Sequence, residues 1–142
     1  MPKITIINEA PLSLNDVRSE IKAIKKRDTE LNARAQKVEE YVNTFLILKQ
    51  KEAKDISKAI EDLNIPRLKE LHIKKIIDMM PTSVDELKSI LQGYPISVTN
   101  DNIKKIVDVT KKFMDDYRTR LKEKKDEVQA EESEQPDQAE SE

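Results

Sequence analysis

His72 is the only histidine in the 142-residue chain, Gly93 is the only glycine, and there is no cysteine. Those three counts restrict the chemistry available. Nucleophilic catalysis needs a Ser or Cys nucleophile, a base and an orienting acid. Here the thiol is absent, and His72 sits in a helical pattern with no glycine elbow near it. His72 also lacks a Cys, Asp or Glu at ligand spacing, so the sequence predicts a surface or half-buried side chain, not a metal ligand or base. A chain with one glycine holds no P-loop and no dinucleotide fingerprint. The acid pairs Glu39–Glu40, Asp85–Glu86 and Asp115–Asp116 fall in charge-dense helical segments, where caps and solvated faces account for them. No enzyme, cofactor or metal centre is expected.

What remains able to recognise a partner is cationic or apolar. The pairs Lys74–Lys75, Lys104–Lys105 and Lys111–Lys112 lie on the polar sides of two helices. If those helices are neighbours, the six lysines make one basic face and salt-dependent, sequence-independent phosphate contacts. The alternative is ordinary solvated lysines. Lys25, Lys26 and Arg27 close an earlier helix, where cations complement the dipole. The aromatics Tyr41, Phe45, Tyr94, Phe113 and Tyr117 are scattered, four of them on or beside helical stripes. At that spacing they read as core, not as platforms for stacked bases. The net charge of −2 hides an asymmetry: residues 126–142 carry eight acids and no base, whereas 1–125 carry all 26 basic residues and 20 acids. A basic body with an acidic tail is compatible with nucleic acid nearby.

The elements that must position these residues are mostly helices. Lys3–Asn8 alternates, with Ile4 and Ile6 on one face and Thr5 and Ile7 on the other, which fits a strand. No second strand is evident, so a strand here would pair with another chain. Periodicity leaves open a coil packed on the helices, or a frayed end. Ser13 or Asn15 caps a first helix with a narrow seam of Leu14, Val17, Ile21 and Ile24. A second helix, about 32–48, carries the widest apolar face, including Val38, Tyr41, Val42 and Phe45, and is expected at the centre of the N-terminal half. Ala53, Ile56, Ala59, Ile60 and Leu63 mark a third helix, ended by Asn64 and Pro66.

The stretch 71–113 then carries three stripes cut by two breaks. Ile73, Ile76, Ile77 and Met80 form the first, and Pro81 ends it. Ser83 and Glu86 have capping-box spacing ahead of Val84, Leu87, Ile90 and Leu91. Gly93 and Pro95 stop that helix, and Thr99 and Asp101 open the last, with Ile103, Ile106, Val107, Thr110, Phe113 and Met114 on one face. None of the three can bury its stripe alone, so they fold on one another. Beyond Met114, Tyr117, Leu121 and Val128 could carry a helical extension. Disorder is expected from about Gln129, where large apolar residues run out.

The segment PTSVDELKSIL at 81–91 resembles the proline–Asp-Glu-Leu segment of the F-type stalk protein of archaeal DNA-directed RNA polymerase, within its HRDC-like C-terminal domain. IKKIVDVTKKF at 103–113 is similar to that family's closing helix, and ITIINEAPLSLNDVRSEI to its opening strand and first helix. The resemblance runs from about Lys3 to Met114. It implies the smaller, non-catalytic half of the polymerase stalk. Such a chain forms a heterodimer with the E-type protein, the larger stalk subunit. The pair docks on the polymerase core, contacts nascent RNA and assists initiation factors. The resemblance also favours the strand reading. Ile4, Thr5, Ile6, Ile7, Leu14, Val17 and Ile21 are then the candidate residues for the larger stalk subunit, and the six lysines the candidates for nucleic acid. A free-standing HRDC-type nucleic-acid-binding module or helical adaptor is the alternative.

The expected architecture is mainly α. It comprises a strand for inter-chain pairing and a helical partner-binding region (1–64), an HRDC-like unit (65–117), and a charged, mostly disordered tail (118–142). No apolar run is long enough for a bilayer, no secretory signal opens the chain, and a cytoplasmic setting is the expectation.

Overall fold

A computed structural model describes residues 5–28 and 30–133, with side chains described as far as Lys122. It contains six helices: α1 (Leu14–Asp28), α2 (Ala33–Phe45), α3 (Gln50–Glu61), α4 (Glu70–Met79), α5 (Val84–Leu91) and α6 (Asn100–Ser133). No strand occurs among the described residues. The expected strand is therefore corrected: residues 5–8 are irregular backbone, and Ile4 lies outside the described residues. The physical reason is the lack of a second strand among those residues, without which a single strand leaves its N–H and C=O groups unpaired.

Local chemistry sets most helix ends. Asn32 accepts a hydrogen bond from Ala35 N–H at 2.8 Å and starts α2. Ser83 and Glu86 form the capping box of α5: Ser83 Oγ accepts from Glu86 N–H, and Glu86 Oε2 accepts from Ser83 N–H. At the end of α4, Met80 adopts a left-handed conformation with φ 45°. Pro81 disfavours the right-handed helical conformation for the residue before it, so the chain leaves the helix there. Met80 and Pro81 are both buried at this corner. Thr110 on α6 donates its hydroxyl to the Pro81 carbonyl at 2.6 Å, which fixes the α4–α5 turn against the last helix.

The core belongs to α3–α6. Ile56, Ile60, Ile76, Leu87 and Ile106 are fully buried within one cluster that runs from Leu48 to Val107. Helices α4 and α6 each pack against both α3 and α5, which places them across the core from one another. Truncating any one of those five side chains to alanine should cost about 2–5 kcal/mol. α1 and α2 form an antiparallel hairpin with its own small interior of Ile21, Leu31 and Val42, and α1 rests on α3. Helix α6 runs on to Ser133, past Gln129 where order was expected to end, and residues 134–142 lie outside the described residues. Its 34 residues would span roughly 50 Å at 1.5 Å per residue. None of the described helices is long and apolar enough to cross a membrane.

Candidate partner-binding surface

Three large apolar side chains stand in a row on the outside of α2. Val38 is 43% exposed, Tyr41 55% and Phe45 56%, and the Tyr41 and Phe45 rings lie 4.7 Å apart. At 100° per residue they share one flank of the helix, beside the buried Val42. This departs from the expectation that Tyr41 and Phe45 are core. Periodicity showed a wide apolar face, but only its Val42 edge is fully buried. A soluble surface seldom leaves a contiguous aromatic row bare without a partner to cover it.

The segment leading into the hairpin is equally open. Ile6 is 70% exposed and Ile7 96%, and Thr5 and Leu12 are exposed as well. The candidates farther along differ. Leu14 and Val17 are half-buried, and Ile21 is buried in the α1–α2 packing. Val38, Tyr41 and Phe45 are thus exposed where the sequence pattern placed them on a packed face. The apolar stripe was visible, but which edge of it stays bare depends on where α1 lies.

A polar latch holds the base of the hairpin to the core. Ser13 and Asp16 cap α1 reciprocally: Ser13 N–H donates to Asp16 Oδ2 at 3.0 Å and Asp16 N–H to Ser13 Oγ at 3.3 Å. The same Asp16 oxygen pairs with Lys74 Nζ of α4 at 2.7 Å. Burial raises the Asp16 carboxyl, but hydrogen bonds from Lys74 and Ser13 outweigh it and bring the pKa down to about 2. Asp78, also on α4, accepts the Leu14 N–H.

The candidate lysines do not assemble into one face. Lys74 is committed to Asp16, with Glu70 4.0 Å away, and α4 stands across the core from α6. Lys104, Lys105, Lys111 and Lys112 form an exposed row on α6, interleaved with exposed Asp101, Asp108 and Asp115. His72 is buried, more so than expected. Its Nδ1 accepts the Lys69 N–H at 2.9 Å and its ring meets Tyr94 edge-on. Burial, then the Lys69 charge, lowers its pKa, so it serves as a neutral cap of α4. Among the described residues no group of His, Cys, Asp or Glu is placed to hold a metal ion.

Residues 4–114 match the family model described as RNA polymerase Rpb4. The chain belongs to the RNA polymerase Rpb4 family. The match spans the hairpin, α3 to α5 and the first part of α6. None of the curated proteins matches the chain. Membership makes this Rpb4-type chain an accessory component associated with the RNA polymerase core.

Proposed function

We propose that this chain is the smaller stalk subunit of an archaeal-type RNA polymerase, with an HRDC-like C-terminal unit, and that it forms a heterodimer with the larger stalk subunit. The observation that carries this reading is the uncovered apolar surface of its N-terminal half: Ile6 and Ile7 before the hairpin, and Val38, Tyr41 and Phe45 on α2. In a chain of this family such a surface calls for another polymerase component. Residues 5–8 are irregular and have no strand partner among the described residues, and the edge of a partner's sheet would supply one. Leu14 and Val17 would support the contact from α1. In this role the chain works in the cytoplasm, supports initiation factors, and lends the α6 lysines to nascent RNA that its partner binds.

Co-purification from the native source, followed by mass spectrometry, tests the assembly. Recovery of the larger stalk subunit together with the polymerase core is the expected result, and recovery of the chain without them would defeat the reading. Ile6→Asp should weaken the heterodimer at least tenfold, because it forces a charge into a buried interface. Unchanged affinity for the larger stalk subunit would remove residues 5–8 from the interface. For the RNA role, changing Lys104, Lys105, Lys111 and Lys112 together to Glu should weaken RNA binding by the heterodimer and flatten its salt dependence.

A further inference from the structure

The family match ends at residue 114, but α6 does not. The first turns of its continuation are fastened to the body. Arg120 Nη1 donates to Glu52 Oε1 on α3. The other oxygen, Glu52 Oε2, accepts the backbone N–H of Lys49 at 2.9 Å, at the residue just before α3. Residues 46–49 are the elbow between α2 and α3. Tyr117 and Leu121 on α6 face Ile47 of that elbow around a cavity of about 80 Å3, alongside the Arg120–Glu52 pair. One carboxylate therefore joins the cap of α3 to the last helix, beside a cavity that apolar side chains of that helix line together with the elbow. Burial raises the Glu52 carboxyl, but the Lys49 N–H and Arg120 outweigh it, so Glu52 stays charged and able to bridge.

We propose that Arg120 is a positioning residue: through Glu52 it braces the α2–α3 elbow and so sets the direction in which the hairpin, with Val38, Tyr41 and Phe45, stands from the core. The consequence for binding the larger stalk subunit rests on the stalk reading; the brace itself does not. A guanidinium suits the task because it offers several donors in a rigid plane to one half-buried carboxylate. The hairpin is then held at the start of α1 by the Asp16–Lys74 and Leu14–Asp78 latch, along α1 by its packing on α3, and at the elbow through Glu52 and Arg120.

The chain has no cysteine, so nitroxide labels can be placed cleanly at Lys37→Cys on α2 and Lys111→Cys on α6, both exposed positions. Pulsed EPR on the full chain then reads the hairpin-to-core distance. With Arg120→Ala the distance distribution should broaden about twofold. Amide exchange at residues 49–53 should speed up roughly three- to tenfold, as for loss of one part-buried charged hydrogen bond. Amides of Ile76 and Ile106 should not change, and Arg120→Lys should recover part of the narrow distribution. An unchanged distribution, or faster exchange at Ile76 and Ile106 as much as at 49–53, would overturn the brace. Affinity for the larger stalk subunit should fall roughly three- to tenfold in Arg120→Ala. If the unaltered chain does not bind that partner at all, the stalk reading fails, while the distance measurement still decides the brace.

Discussion

Asp78 on α4 accepts a hydrogen bond from the backbone N–H of Leu14, the first residue of α1, at 2.9 Å, across 64 positions of sequence. A helix-opening N–H has no partner inside its own helix. Here it is satisfied by a carboxylate from the core, and a charge at a helix N-terminus also complements the dipole. The bond makes the start of α1 part of the α3–α6 unit.

Removing that carboxylate should loosen the hairpin more than the core. Asp78→Ala is expected to cost about 1–2 kcal/mol, the usual range for losing a cap that satisfies a part-buried donor. Asp78→Asn keeps an acceptor and should cost less. Urea unfolding compared with amide exchange at Leu14–Val17 checks this. If Asp78→Ala loses no stability, the bond is incidental.

Asp16 should make the protein acid-labile in a defined window. Its pKa in the fold, about 2, lies below the ordinary 3.8, so its contribution is present above pH 3.8 and is lost as pH falls towards 2. The shift corresponds to about 2 kcal/mol. Asp16→Asn should lower stability at pH 5 and flatten the acid limb between pH 4 and 2. Lys74→Met should do much the same, since Asp16 then loses its cation.

His72 acts at higher pH with its own sign. Neutral Nδ1 accepts the Lys69 N–H, and the folded pKa lies below 6.5. Protons therefore favour the unfolded chain, and stability should decline as pH falls below 6.5. Urea midpoints at pH 7 and pH 5 measure it. His72→Asn keeps an acceptor without the titration and should reduce the difference between the two midpoints.

Thr110 should show what one buried hydroxyl contributes. Thr110→Val preserves shape but leaves the Pro81 carbonyl without its donor, at a cost of about 1–3 kcal/mol. Thr110→Ser should retain the bond and lose only a methyl. Equal losses in the two variants would show that packing, not the hydrogen bond, matters there.

Phe45→Asp and Tyr41→Asp should separate folding from binding. Both side chains are more than half exposed, so thermal stability should change by only about 0.5 kcal/mol. In the proposed heterodimer, binding to the larger stalk subunit, followed by calorimetry, should fall at least tenfold. Val42→Asp, one position from Tyr41 but buried, should instead disrupt the hairpin itself.

The helices and most of their limits were legible from residue order alone. The stripe Ile73, Ile76, Ile77, the stop at Pro81 and the Ser83–Glu86 cap all act within a few residues, and such short-range physics is written in the order of the chain. The motif at 81–91 also pointed to the polymerase family that residues 4–114 match. Packing had to settle which edge of the α2 stripe stays bare, that residues 5–8 are irregular, and that α4 and α6 stand across the core with their lysines apart. Packing also joined Lys74 to Asp16, Leu14 to Asp78 and Arg120 to Glu52, pairs separated by 58, 64 and 68 positions. Charged side chains have no periodicity that names a distant partner. Which of many lysines meets which carboxylate follows from how the helices stack to bury their apolar faces, and that stacking is a property of the whole chain.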